Sequence, residues 1–466
     1  MSTSDLSENW IDCKVGDVVD YGKTQKVERH HVHSDDWILE LEDIEKDTSR
    51  LLKRVMVSER PFKSTKNTFQ RGDVLYGKLR PYLNKVVIAD TKGICTTEII
   101  PINTAPFCSN RYFFYWLKSF QFQSYVNEVS YGVNMPRLGT KDGNSAPFRL
   151  FSLPEQKKIA AQLDTLLAQV DKIKTRLDAI PDILKRFRQS VLAAAVSGKL
   201  TEEWRGTEQY LPLSEAFVVP VDWKQHSLND VVEYITSGSR GWAKYYSDAG
   251  ALFIRSQDIN TDELVINDAA FVALPENVEG KRTKVKVEDL LVTITGANVT
   301  RCARVKANYD DAYISQHVAL IRLRAPSSAT FIELVLKAEN AGRKQLTSMA
   351  YGGGKPGLNL QNLKDVMFAI PPTEEQAEIV RRVDQLFAFA DQIETQVHNA
   401  QYRVNGLTQS ILAKAFLGEL TADWRAEHPE LISGEHSAEA LLARIKAEQA
   451  TLSAKKTPRT RRKPSA

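Results

Sequence analysis

The feature that most constrains this chain is an internal duplication. Residues 155–205 and 375–425 align without a gap at an offset of 220, and 19 of the 51 positions are identical. The relation continues upstream. Tyr131-Gly132 matches Tyr351-Gly352 and Pro136 matches Pro356 at the same offset, Asp73-Val74-Leu75 matches Asp289-Leu290-Leu291 at 216, and Trp10 matches Trp223 at 213. The 466 residues, enough for about three domains on length alone, therefore fall into a plan A–B–A–B. The A segments have diverged widely and the B segments much less. The B segments do one job twice; the A segments do related jobs on different targets.

The B segments read as long helices. In the first, Ile159, Leu163, Leu166, Val170, Ile173, Leu177, Ile180, Leu184, Phe187 and Val191 recur at alternating spacings of four and three. In the second, Ile379, Val383, Leu386, Ala390, Ile393, Val397, Ala400, Val404, Leu407 and Ile411 repeat the seam. A sustained period of 3.5 predicts a coiled coil, each rod pairing with the other over about 50 Å. Each A segment precedes its own rod, which favours an antiparallel pair with a pseudo-twofold relation between the copies. Pro181 is expected to kink or break the first rod near Ile180, while Gln401 stands at the matching place in the second. Each rod closes on Gly198 or Gly418, suited to a helix C-cap, then on Trp204-Arg205 or Trp424-Arg425. Trp and Arg are favoured interface anchors; the alternative is that the tryptophans plug the domain.

The A segments read as mixed α/β. Val74-Leu75-Tyr76 and Val86-Val87-Ile88 are predicted strands flanking a loop that carries Lys78, Arg80, Tyr82, Asn84 and Lys85. Its counterpart carries Thr295, Asn298 and Arg301, with Arg304 just beyond. A further loop holds Tyr131, Asn134 and Arg137 in the first copy, and Tyr351 and Lys355 in the second. Such side chains pair with phosphates and read base edges. The charge pattern agrees. Residues 1–50 carry net −7 and residues 51–150 net +9, although the whole chain is only +4; residues 221–370 are weaker, at net +1.

Several chemistries are excluded. Gly352-Gly353-Gly354 is not followed by the Lys-Ser/Thr of a phosphate loop, and no Gly-x-Gly-x-x-Gly follows a strand. Cys13, Cys95, Cys108 and Cys302 are too scattered for zinc or a disulfide framework, which points to a reducing, cytoplasmic setting. His30, His31 and His33 in an acidic stretch read as a polar loop, so no metal is expected. Glu279-Gly280-Lys281 lacks the partner acid of a nuclease. No apolar run spans a membrane, and the acidic N-terminus is no signal peptide. Two function classes remain: a DNA reader, and a coiled-coil scaffold with two ligand-binding domains not specific for DNA.

The motifs Gly-Asp-Val-Leu-x-x-Lys-Leu-Arg-Pro-Tyr at 72–82, Pro-x-x-Glu-Gln at 372–376, Leu-Asp-x-Leu-Leu-Ala-Gln-Val-Asp at 163–171 and Gly-Lys-Leu-Thr-x-x-Trp-Arg at 198–205 resemble the specificity subunits of type I restriction–modification systems. The resemblance implies target-recognition domains at 1–152 and 207–370, conserved helical regions at 153–206 and 371–425, and a C-terminal extension at 426–466. It implies a split, asymmetric target on double-stranded DNA. It also implies two docked modification subunits that bind S-adenosylmethionine and methylate adenine, with restriction subunits supplying ATP- and Mg-dependent translocation and cleavage. On that likeness the chain holds no cofactor and is not itself an enzyme. Beyond Arg425, residues 438–447 read as a short amphipathic helix and residues 455–463 as a basic arm for DNA or for covering a modification subunit.

Overall fold

Two helices of 44 residues each, Leu153–Val196 and Thr373–Phe416, dominate the secondary structure. A computed structural model describes residues 9–454 except 133, 215, 216, 278, 279, 353 and 355, and without the side chains of 281 and 452–454. The basic arm at 455–463, Lys355 and Glu279 lie outside the described residues. Both helices are unbroken, so of the kink or break expected at Pro181 the break is absent: the helix runs through it without a stop. A proline removes one N–H and crowds the carbonyl four residues back, but the helix continues on both sides of it, from Leu153 to Val196.

The chain divides into two units, residues 1–177 with 400–466 and residues 178–399. Each long helix therefore begins in one unit and ends in the other. In the first unit, Ile159, Ala160 and Leu163 near the start of one helix share a core with Leu412, Ala415 and Phe416 at the end of the other. In the second unit, Val191, Leu192, Ala195 and Val196 share a core with Ile379 and Val383. Both pairings are antiparallel, as the connectivity predicted. Burial follows the heptad: Leu163, Val170, Leu184 and Val191 are buried, as are Val383, Ala390, Val397 and Val404. Away from the buried ends at Ile159 and Ile379, the intervening seam position is half-covered or exposed, as at Ile173 and Leu407, and Leu177 on the first seam is half-buried. In the second unit Arg188 bridges Asp391 at 2.6 Å and Glu394 at 2.9 Å across the pair.

The remainder of each unit is an α/β domain built on one frame. In the first, Trp10–Lys14 pairs antiparallel with Pro147–Phe151 beside the long helix. Val74–Gly77 lies between Val86–Ile88 and Ile99–Ile102 in a three-stranded antiparallel sheet. A five-stranded sheet includes the parallel pair Trp37–Leu39 and Gly93–Cys95. In the second, Lys224–Ser227 pairs with Met367–Ile370, and Leu290–Thr293 lies between Cys302–Arg304 and Val318–Leu323. A parallel pair, Ala251–Ile254 with Ala312–Ile314, completes the likeness. The C-terminal helix runs over Ala438–Ala454, longer than the sequence suggested. It buries Leu441 and Ile445 in the core of the first unit.

A buried carboxylate secures each helix start. Glu375 Oε1 accepts from Thr201 Oγ1 at 2.8 Å and from Arg205 at 2.7 Å, while Oε2 accepts from Trp223 Nε1 at 2.9 Å. In the first unit Glu155 Oε1 accepts from Thr421 Oγ1 and from Arg425, both at 2.6 Å. Trp10, the counterpart of Trp223, instead packs against Phe151, with the Arg149 guanidinium over its ring. Glu155 Oε2 has no hydrogen-bond partner among the described residues. Burial raises the Glu155 carboxyl, and Thr421 and Arg425 only partly offset it.

A group protonated more readily in the folded state adds stability as pH falls through its folded pKa toward the unfolded value. Glu155→Gln is therefore expected to cost under about 1 kcal/mol and to remove that mildly acid-favoured component. Glu375→Gln sets an amide N–H against either Trp223 or Arg205 and is expected to cost about 1–3 kcal/mol. Thermal melts of both variants between pH 5 and pH 8 check this; equal losses would refute it.

Candidate nucleic-acid interface

In the first unit the strand Val74–Gly77 runs into the loop at residues 78–85. Arg80 and Asn84 both sit at φ 48°, a left-handed conformation uncommon outside glycine. The loop is pinned to the neighbouring loop at 131–137. Arg80 N donates to Pro136 O at 2.7 Å, Leu138 N donates to Lys78 O at 3.0 Å, and Leu79 bridges Arg137. Tyr131 in turn bridges Arg137, closing a hairpin that needs Gly132 at φ 106°.

The second unit repeats this arrangement. Gly296 N donates to Pro356 O at 3.3 Å, Leu358 N donates to Ile294 O at 2.8 Å, and Thr295 bridges Gly357. Tyr351 also bridges Gly357, with Gly352 at φ 101°. Thr300, a β-branched residue at φ 74°, marks the turn where this loop rejoins its strand.

The structure thus brings together the two loops that sequence reasoning selected in each copy, and it sorts their side chains. Arg80, Tyr82, Tyr131, Asn134 and Tyr351 are exposed. Lys78, Lys85, Arg137, Thr295, Asn298, Arg301 and Arg304 are half-buried. Asn84 is buried, and its Oδ1 accepts from Gln123 at 3.3 Å, so it shapes the loop. Lys85 Nζ donates to Leu41 O at 2.8 Å. Arg137 pairs with Glu98 at 3.1 Å, and Arg301 with Asp262 at 2.9 Å. Asn298 donates to Ser256 O at 3.3 Å. Arg304 is locked between Glu288 at 2.6 Å and Glu333 at 3.1 Å, a bracing role inside its domain.

The four residues expected at a subunit interface divide as well. Arg205 and Arg425 point inward, their guanidiniums committed to Glu375 and Glu155. Trp204 is exposed, and Trp424 stacks on His428.

Sequence reasoning missed the anchors. Asp262 accepts from Arg301, from Arg343 at 2.9 Å and from Cys302 N at 3.1 Å. Burial raises its carboxyl, but Arg343, the Cys302 N–H and Arg301 outweigh that and hold it below the usual range. Asp262 and Arg343 are 81 residues apart, so no local pattern could mark them. Also missed were residues 315–317, which border the second unit's loop pair, and residues 237–241, which bond to the segment at 315–318. Gly238 N donates to Val318 O at 3.3 Å, and Ile294 N donates to His317 O at 2.9 Å. Arg240 there is exposed. Among the described residues no group of three His, Cys, Asp or Glu could hold a metal ion, and no helix is long and apolar enough to cross a membrane.

Comparison with known proteins decides the family. The model of the type I restriction modification DNA specificity domain matches twice, over residues 7–182 and 220–400. The chain belongs to the type I restriction–modification specificity subunits. It is 42% identical over 369 residues to the EcoBI specificity subunit of Escherichia coli, covering 75% of this chain and 74% of that one. It is 40% identical to the StySPI specificity subunit of Salmonella potsdam, covering 76% and 74%. Among solved structures, a chain from a type I R-M complex superposes with a TM-score of 0.69 at 18% identity, covering 88% of this chain and 98% of that one. The HsdS subunit of Thermoanaerobacter tengcongensis superposes at 0.56 and 19% identity, covering 89% and 98%. These two show the shared fold. For this specificity subunit the family assigns a DNA-specificity role and removes the non-DNA scaffold alternative.

Asp262→Ala strands the buried Arg343 without its partner, which typically costs about 3–5 kcal/mol. Arg301→Ala, at a half-exposed pair, is expected to cost under about 1 kcal/mol. The wild-type contribution of Asp262 is lost as pH falls through its depressed folded pKa. Denaturant melts at pH 7 and below pH 3 check the ranking: the gap between wild type and Asp262→Ala should persist at the higher pH and narrow at the lower.

Proposed function

We propose that each unit reads one half of a split, asymmetric DNA target through its paired loops, with the two long helices setting the number of unread base pairs between the halves. The observation that carries this is the repetition of one backbone arrangement under two different sets of polar, basic and aromatic side chains. In the first unit Arg80, Tyr82 and Tyr131 face outward, with Lys78 and Arg137 behind them. In the second, Tyr351 is exposed and Thr295, Asn298 and Arg301 are half-exposed, with Lys355 on the same loop as Tyr351 by sequence. Arginine and lysine suit phosphates and guanine, and asparagine suits adenine.

The chain itself carries out no catalysis on this proposal. Two modification subunits bind S-adenosylmethionine and methylate adenine, which requires flipping the base from the stack. Restriction subunits bring ATP- and Mg-dependent cleavage. Exposed Trp204 is an anchor for a modification subunit. The assembly works in the cytoplasm, and the basic arm at 455–463 adds non-specific DNA attraction.

Two measurements test the proposal. Affinity for duplex DNA is expected to fall about a thousandfold between 50 and 200 mM salt if six or more phosphates are contacted; a flat dependence would sink it. Replacing the first recognition domain alone is expected to change one half of the methylated target. A change in both halves would overturn the one-domain, one-half assignment.

A further inference from the structure

One turn beside the paired loops is held alike in both units and yet carries different chemistry. In the first unit it spans residues 96–99, directly after the strand Gly93–Cys95. Thr96 N donates to Leu39 O at 3.1 Å, Ile99 N donates to Thr96 O at 3.0 Å, and Lys78 N donates to Glu98 O at 2.9 Å. In the second unit it spans residues 315–318, directly after Ala312–Ile314. Ser315 N donates to Ile254 O at 2.8 Å, Val318 N donates to Ser315 O at 3.0 Å, and Ile294 N donates to His317 O at 2.9 Å. Three backbone bonds thus recur one for one. The third ties the turn to the residue that opens the candidate reading loop, so turn and loop form one surface.

The two central side chains of the turn are where the copies part. Thr97 and Glu98 stand in the first; Gln316 and His317 stand in the second. Thr97, Gln316 and His317 are exposed. Gln316 and His317 meet each other at 3.3 Å and have no other side-chain partner among the described residues. Glu98 instead holds Arg137 at 3.1 Å, fixing a guanidinium on the neighbouring loop. A rigid backbone with replaceable, outward donors and acceptors is the arrangement needed to change which base is read without disturbing the domain.

We propose that this turn is a specificity element of each unit: Gln316, with His317 beside it, reads a base edge in one half of the target, and Thr97 occupies the equivalent place in the other half, where Glu98 acts as a positioning residue for Arg137. The glutamine amide has the donor and acceptor pair that matches the major-groove edge of adenine. The proposal rests on the DNA-reading function proposed above and adds residues that it does not require.

The test is selection from a random duplex library by the full-length chain, wild type and variants. Wild type is expected to enrich a two-part motif. Gln316→Ala is expected to lower discrimination about fivefold or more at one or two base pairs of one half, consistent with loss of a bidentate contact, and to leave the other half unchanged. Thr97→Gln is expected to alter only that other half. Gln316→Asn keeps the amide on a shorter stem and guards against misfolding; with a wild-type melting curve it should shift the same positions as Gln316→Ala. If all three variants enrich the wild-type motif, the turn is not a specificity element, while the DNA-reading function stands. If wild type itself enriches no motif, the DNA-reading function falls, and this inference with it.

Discussion

The interaction on which the rest depends is the buried carboxylate at the start of each long helix. Glu155 and Glu375 are fully buried, and an unpaired charge there would be untenable. Each is neutralised by the threonine and arginine that follow the end of the other long helix: Thr421 and Arg425 for Glu155, Thr201 and Arg205 for Glu375. A unit is therefore complete only when both repeats contribute to it. The same holds for the apolar cores, which mix residues near 160 with residues near 412, and residues near 195 with residues near 380. The repeats are interlocked, and the boundary between the two units falls inside both helices.

That interlocking explains the uneven divergence along the chain. Truncation of Glu155, Thr201, Arg205, Glu375, Thr421 or Arg425 to alanine leaves a buried polar group without its partner, a costly event. A change at the tip of a loop such as 78–85 or 295–301 costs little, because the tip faces solvent and the loop is held by backbone hydrogen bonds. Arg80 N, Leu138 N, Gly296 N and Leu358 N make those bonds whatever side chains are displayed nearby. Scaffold and display are physically separate, which suits a family that reads different DNA targets on one fold.

Charged residues serve three distinct ends in this molecule. Arg205, Arg425, Arg304 and Arg343 are sequestered in ion pairs inside their domains. Arg137 and Arg301 are half-exposed and held by one carboxylate each, which orients a guanidinium without removing it from reach. Arg80 and Arg240 are exposed, and among the described residues no side-chain partner holds either guanidinium. Basic residues that look alike in a sequence thus range from core braces to surface probes. Net charge over a segment cannot separate these uses, and only the first unit's strong excess pointed to a basic face.

What the sequence alone determined was the architecture: the duplication, the two heptad helices, the α/β character of the diverged segments and the loops that became neighbours. These are legible because repeats and periodicity are local properties of the chain, written within a few dozen residues. Pro181 does not end the first helix, since one unfavourable position does not outweigh a helix of 44 residues. Only the tertiary structure decided that Arg205 and Arg425 turn inward, that Asn84 is buried, that Arg304 is a brace, and that Asp262, Glu98, Gln316 and His317 border the candidate surface. Apart from the contact between adjacent Gln316 and His317, those roles come from partners 16 to 270 residues away. Whether a polar side chain is spent within the fold or left free for DNA depends on which distant group packs beside it, and local sequence does not carry that information.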